Sequence, residues 1–407
     1  PAPGEPAAPP EAAPAPEAAP DMPAEPLAFD PGQSLAGLGS SFAASDTPNM
    51  IGDLFSIGGA NRAFFGPPER AGGGETFFTA TGITGTPKFI PEPSASLVGL
   101  QRIAENNSPI PRHRVFVNYS YFDDTPLSRD GIDVHRVTPG FEQTYLEDQV
   151  SIEARFPFAH TLDSDLRGRV ADDTKWEFGN IMLALKALIH ESHHSAASVG
   201  LALSLPSADD LRMFGRDEEG RKREVVRIRN EAVLLMPFAG FVATDPGGRC
   251  FVQGFVQGVF DTEDQSVLIL TESNRLVRAG SIDPPNLVLG DIGVGYWLHR
   301  DECSGSPIKG VAPTVEVHWA RSLEETDSVL GGPLGNTVRI GEHRQTFETV
   351  NLVLGTTFLL GRSQTLAVGF AAPLTDDSDK QFDYEVRVLF NCYFDGRPGG
   401  NGSGFYR

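Results

Sequence analysis

The chain of 407 residues is poor in cysteine, methionine and tryptophan, with three, five and three of each. Cys250, Cys303 and Cys392 are too few for a disulfide-built miniature scaffold. Basic residues are also in deficit, with 33 Lys+Arg against 54 Asp+Glu and a formal charge of −21. A chain this acidic is repelled by nucleic-acid phosphates and by anionic headgroups, so neither is expected as a general partner. No apolar run approaches twenty residues, which excludes a transmembrane helix. A membrane β-barrel stays open, because alternating strands average out to the polarity of a soluble protein.

What the chain has in quantity is Gly (44), Pro (32) and Phe (27), the mark of many turns and aromatic strands. It opens on Pro1, as expected after removal of a secretory signal or at a fragment boundary. Residues 1–26 are almost entirely Pro, Ala and Glu, and read as an extended acidic tether, either a spacer or a strap for envelope protein partners. Residues 27–111 have no sustained period and read as an irregular periplasmic or lumen-plugging segment, with one short helical turn over 47–55. A Gly-rich tail, 395–407, closes the chain.

Between 112 and 394 twelve segments alternate in polarity. In 149–158, Val150, Ile152, Ala154, Phe156 and Phe158 oppose Ser151, Glu153 and Arg155; in 382–394, Tyr384, Val386, Val388 and Phe390 oppose Asp383, Glu385, Arg387 and Asn391. The other strands are drawn at 114–122, 134–144, 176–189, 195–206, 227–243, 249–260, 287–298, 311–319, 347–358 and 364–373. The parity of 249–260 is left open.

The links between these strands alternate in length. Those at 123–133, 160–175, 207–226, 261–286 and 322–346 are long, those at 145–148, 190–194, 244–248, 299–310 and 360–363 are short, and the last, at 374–381, is intermediate. Outer-membrane barrels are built this way, with long external loops and short periplasmic turns, whereas a soluble sandwich has no reason to keep the alternation. The expected fold is therefore all-β: a closed antiparallel transmembrane β-barrel of about 12 strands, with both its ends on the periplasmic side. Trp176, Trp297 and Trp319 fall near strand ends, where aromatic girdles sit.

The stretches Arg114–Phe122 (RVFVNYSYF), Val137–Glu142 (VTPGFE), Glu153–Phe158 (EARFPF), Gly179–Leu188 (GNIMLALKAL) and Leu203–Asp210 (LSLPSADD), with the upstream Thr47–Phe55 (TPNMIGDLF), carry a resemblance. In these the chain resembles porin-like outer-membrane β-barrels of planctomycete-type bacteria. More distantly it is similar to barrels grouped as transporters of aromatic-degradation pathways. The resemblance implies an outer-membrane location and a channel, and names no substrate.

With the apolar face outward, the lumen receives Arg136, Glu142, Glu153, Arg155, Lys186, Arg229, Glu231, Asp291, Glu316, His318, Asp383, Glu385 and Arg387. Such a lining sets selectivity in a conducting pore. Paired with one another, the same residues fill a narrow barrel. The function expected is passive passage of small solutes, and the alternative is a structural barrel serving as envelope anchor or assembly subunit, with a homo-oligomer compatible with either.

Enzymatic chemistry finds little support. His318 and Glu316 share a face, yet no serine stands out as their partner. The cluster His190-Glu191-Ser192-His193-His194 reads as a solvated turn rather than a metal site, and Gly290-Asp291-Ile292-Gly293-Val294-Gly295 as strand glycines that relieve crowding. No metal or cofactor is expected. Cys250 and Cys303 fall on neighbouring strand ends at the periplasmic rim, where a disulfide is geometrically feasible, and Cys392 falls on the outward face.

Overall fold

The computed structural model describes residues 47–53 and, with short breaks in some links, 100–394, together with four short strands between them. Twelve strands form the main body: β1 Arg114–Thr125, β2 Ile132–Tyr145, β3 Val150–Arg155, β4 Ile181–Glu191, β5 Ser195–Leu205, β6 Leu234–Thr244, β7 Cys250–Asp261, β8 Leu287–Tyr296, β9 Ile308–Ser322, β10 Glu348–Leu360, β11 Gln364–Pro373 and β12 Tyr384–Tyr393. Each pairs antiparallel with its neighbours in sequence, and β12 returns to β1 through the register Val388↔Tyr119. The sheet therefore closes on itself, which removes both free edges.

Two strands are broken and resume. Pro157 has no N–H to give the ladder, so β3 is interrupted before continuing as Phe158–His160. The facing strand breaks in step at Gly179 and Asn180, so that Trp176–Phe178 pairs with Phe158–His160. The expected strand 227–243 is wrong at its start. Lys222–Ile228 belongs to a different sheet, and β6 begins only at Leu234. The first link, expected to be long, shrinks to 126–131 because β1 and β2 extend past their alternating cores. The remaining links keep the long and short alternation.

The outward positions carry Val115, Val117, Ile152, Leu183, Leu185, Val199, Leu201, Val256, Ile292, Val294, Val315, Val317, Leu354 and Val368, all exposed. Val256, at 60% exposure, settles the parity of β7: its even residues face out and Phe251, Gln253, Phe255, Gln257 and Val259 face in. Exposed aromatics gather toward the two rims, Phe141, Tyr145, Phe241, Tyr296, Phe390 and Phe394 at the short-turn end and Phe158, Trp176, Phe260 and Phe370 at the other. Trp297 departs from this pattern, being buried with Phe251, Ala312 and Leu359.

The long links are not plain loops. Leu276–Ile282, Gln265–Leu270, Lys222–Ile228 and Leu211–Arg216 form a second sheet, joined by Phe77–Thr79 and Gly82–Thr84. Leu211, Met213, Val226, Ile228, Val267, Ile269 and Ile282 make its own core. A third sheet pairs Ser328–Gly331 and Val338–Gly341 with Arg62–Phe65 and Phe89–Pro91. The residues expected to form a tether (1–26) and a tail (395–407) lie outside the described residues.

Candidate functional site: an occupied, charged lumen

Because strand side chains alternate, the positions between the outward apolar ones point into the barrel. Ten of the expected lining residues do so and are buried: Arg136, Glu142, Glu153, Arg155, Lys186, Asp291, Glu316, His318, Glu385 and Arg387. Three do not. Arg229 and Glu231 precede β6 and pair with each other at 2.9 Å on the surface, because the chain there is crossing from the outer sheet to the barrel. Asp383 sits at the rim before β12, exposed, with Lys380 at 2.7 Å.

Charges buried this deeply need partners. The barrel supplies some of them. Arg114 bonds Glu142 at 2.9 Å and Glu153 at 3.1 Å, Lys186 bonds Glu142 at 2.9 Å, and Arg155 pairs with Glu153. On the neighbouring strands β8 and β9, His318 meets Asp291 through Nδ1 at 2.7 Å and Glu316 through Nε2 at 3.0 Å. With a carboxylate on each ring nitrogen, the imidazole has no free lone pair to serve as a base.

The other partners come from the segment expected to be irregular. Residues 47–53 and 100–112 lie inside the barrel, with Met50, Ile51, Asp53, Gln101, Ile103, Ala104, Glu105 and Asn107 fully buried. The expected helical turn over 47–55 is not formed in its described part. Residues 47–53 instead lie beside the second segment, with Met50 N–H donating to Asn107 O at 2.8 Å. Gly52 has φ 71°, and a Cβ there would meet the Glu105 backbone at 2.6 Å, so this packing requires glycine.

Barrel and plug are bonded throughout. The Ile51 and Gly52 amides donate to the Glu316 carboxylate at 2.8 and 2.9 Å, and the Ile103 amide donates to Gln257 Oε1 at 2.7 Å. Lys186 Nζ reaches Asn107 Oδ1 at 2.8 Å and Ser108 O at 2.7 Å. Arg102 pairs with Asp53 at 3.0 Å and with Asp291, while Glu105 pairs with Arg387 at 2.6 Å and with Arg136. The apolar side chains of the plug, Met50, Leu100, Ile103 and Ala104, pack with Met182, Ala184, Ala202, Met236, Phe238 and Phe255. Gly355 and Gly369 open a groove for Ile51: an added Cβ would lie 2.1 and 2.7 Å from its side chain.

The course of the plug follows from these contacts. Arg112 lies by Thr47, Glu142 and Tyr393 at the short-turn end, and Arg102 by Asp291 and Trp319 farther in. Between the two segments, Arg62–Phe65 pairs with Val338–Gly341 of a long link on one side and with Phe89–Pro91 on the other. Residue 47 thus lies at the short-turn end, Arg62–Phe65 and Phe89–Pro91 lie with the long-link strands, and 100–112 runs through the lumen back to β1 at the short-turn end.

Asp53, Arg102, Glu105 and Arg112 escape a sequence reading because their segment has no period to sort them by. Arg114 was recoverable, since it shares the parity of Asn118 and Ser120 in β1. Among the remaining candidates, Asp291 and Gly293 point inward, while Gly290 lies outward against Trp319. His190 and Glu191, the last residues of β4, and Ser192 and His193 in the turn that follows are all exposed. Cys250 is an exposed free thiol and its expected partner Cys303 lies outside the described residues; Cys392 faces outward, partly exposed.

No protein-family model and no curated protein sequence matches the chain. Among solved structures it is similar to the β-domain of the Bordetella autotransporter Brka, at 10% identity and a TM-score of 0.42, over 70% of this chain and 100% of that one. An outer-membrane channel from Pseudomonas putida F1 gives 11% identity and a TM-score of 0.42, over 71% of this chain and 97% of that one. The P. putida toluene transporter TodX gives 9% and 0.36, over 71% and 91%. Likeness at this level concerns the strand arrangement, not what any of them carries.

Proposed function

We propose that the chain is an outer-membrane β-barrel channel for small solutes, described here with its lumen closed by its own preceding segment. The observation that carries this reading is the inverted polarity of the closed barrel. Its outward face is apolar between two aromatic rims, and its ionised side chains face inward. Water would not drive such an arrangement, since it exposes apolar surface and buries charge, whereas lipid favours it. On this reading the short turns are periplasmic, so residue 47 and the end of β12 lie on that side, and the outer-leaflet side carries the two link sheets. Membrane lipid is the partner of the outward face. The resemblance to planctomycete porin-like barrels agrees with this, as does an ionic lumen suited to polar solutes rather than to chemistry.

A second reading, a structural barrel that anchors or displays the outer sheets, is favoured by the double passage of the chain through the lumen. Reconstitution in planar bilayers distinguishes the two. Stepwise openings that change when Arg155 or Glu385 is neutralised are expected of a channel. Silence in the intact protein and in variants that loosen the plug would favour the structural barrel.

A further inference from the structure

We propose that the plug turn Arg102–Glu105 occupies a solute site, and that the site takes a small dipolar solute carrying a carboxylate and a separate cation, of the class of basic amino acids. The proposal deepens the channel reading and rests on it.

The lumen walls differ in sign. On β12 and β1–β4, five inward cations (Arg387, Arg114, Arg136, Arg155, Lys186) face three carboxylates (Glu385, Glu142, Glu153), a surplus of two positive charges. On β8 and β9 stand Asp291 and Glu316 with His318 between them, and the inward residues of β5–β7 carry no charge. Oppositely charged walls facing each other across a narrow, poorly hydrated space set up a field that orients dipoles.

The turn lies across that field in the favourable sense. Glu105 N–H donates to Arg102 O at 3.2 Å, so one tight turn carries both side chains. The Arg102 guanidinium lies among Asp53, at 3.0 Å, Asp291 and the Trp319 carbonyl, at 3.3 Å. The Glu105 carboxylate takes Arg387, at 2.6 Å, and Arg136. Arg155 donates to Arg102 O at 3.0 Å, holding the backbone between the walls.

A plug needs none of this to fill space. Replacing buried ion pairs by apolar groups of similar volume is commonly neutral or stabilising, and Met50, Leu100 and Ile103 already fill much of the lumen that way. Walls of opposite surplus, met by one cation and one carboxylate three residues apart, fit instead a site that the plug occupies in place of a solute. A solute presenting the same two groups satisfies both walls once the turn is unseated; one bearing a single charge leaves the opposite wall without a partner.

The test is a calorimetric titration of the full chain carrying Arg102→Ala and Glu105→Ala, with L-arginine, agmatine and valerate as probes. L-Arginine is expected to bind at least about tenfold tighter than agmatine, which lacks the carboxylate, or valerate, which lacks the cation. Adding Arg387→Gln should weaken L-arginine about tenfold, the loss of one charge-assisted pair. Equal affinity for the three probes, or no binding of L-arginine to a folded variant, overturns the proposal. Potassium chloride conductance of the same variant reports separately on the channel: conductance without arginine preference rejects the site alone, and preference without conductance rejects the channel reading alone. Should the double variant not fold, Glu105→Gln goes through the same titration, with weaker arginine binding than the double variant would show but the same order among probes, and loss of that order rejects the site.

Discussion

Glu105→Gln tests how the lumen is held closed. The carboxylate is fully buried and takes the guanidiniums of Arg136 and Arg387. Glutamine keeps its shape and removes its charge, leaving both cations in the lumen with one carboxylate fewer. Removing one partner of a buried pair costs about 3–5 kcal/mol. Arg387 retains Glu385 at 3.2 Å, so part of the charge stays compensated. We therefore expect a loss of about 2–3 kcal/mol, or roughly one to two decades in the ratio of seated to unseated turn. The assay is the frequency of openings in planar bilayers, with heat-modifiable gel migration confirming a folded barrel. Glu147→Gln, exposed in the turn between β2 and β3, should leave the frequency unchanged. A folded Glu105→Gln protein as silent as its parent would refute the reasoning that this ionic contact closes the lumen.

Three further outcomes follow from the geometry. Val256→Arg, on the outward face of β7, should cost about 2–4 kcal/mol if that face meets the middle of a bilayer, read from urea titration of the protein folded in lipid vesicles; a change near zero would contradict insertion. Single cysteines at Leu323, in a long link, and at Glu147, in a short turn, should separate in whole cells, only the first reacting with an impermeant maleimide. In the turn before β7, Asp245 accepts N–H bonds from Cys250, Gly247 and Arg249, at 2.6, 2.9 and 2.7 Å, which hold its carboxyl below the ordinary value. Its contribution to the turn is therefore complete at neutral pH and is lost as pH falls through that lowered value. Amide exchange of Gly247 and Arg249 should rise there, and Asp245→Ala should show the faster exchange already at pH 7.

The barrel was legible because its two faces meet opposite environments, so a period of two is written along most strands, 249–260 being the one whose parity the sequence left open. Glu385, Arg387, Leu389 and Asn391 alternate with Val386, Val388 and Phe390 in β12, and parity alone sorts them. Parity fails where the environment no longer alternates. Lys222–Ile228 runs into the pattern of β6 with only five residues between them, and nothing in 227–243 marks the change of sheet. Its Val225 and Val226 are buried side by side, the mark of a strand with no lipid face. Residues 27–111 were readable as periplasmic or lumen-plugging, but which of them enter the barrel was invisible for a related reason. Asp53, Arg102 and Glu105 are placed by individual contacts in a segment without regular structure, so their burial leaves no repeat to read. What the barrel residues did hold was the surplus of arginine and lysine on the β12–β4 wall, a charge that required a partner from elsewhere in the chain.

Residues 47–53 and 100–112 fill the lumen, and a disulfide between β11 and the plug tests that directly. A Cβ at Gly369 would lie 3.8 Å from the Ile51 Cβ, within the separation a disulfide bridges. Ile51→Cys with Gly369→Cys, in a chain with Cys250, Cys303 and Cys392 changed to serine, should cross-link on mild oxidation, seen by mass spectrometry of a digest. Two thiols that stay free and react with maleimide in the folded protein would contradict the filled lumen.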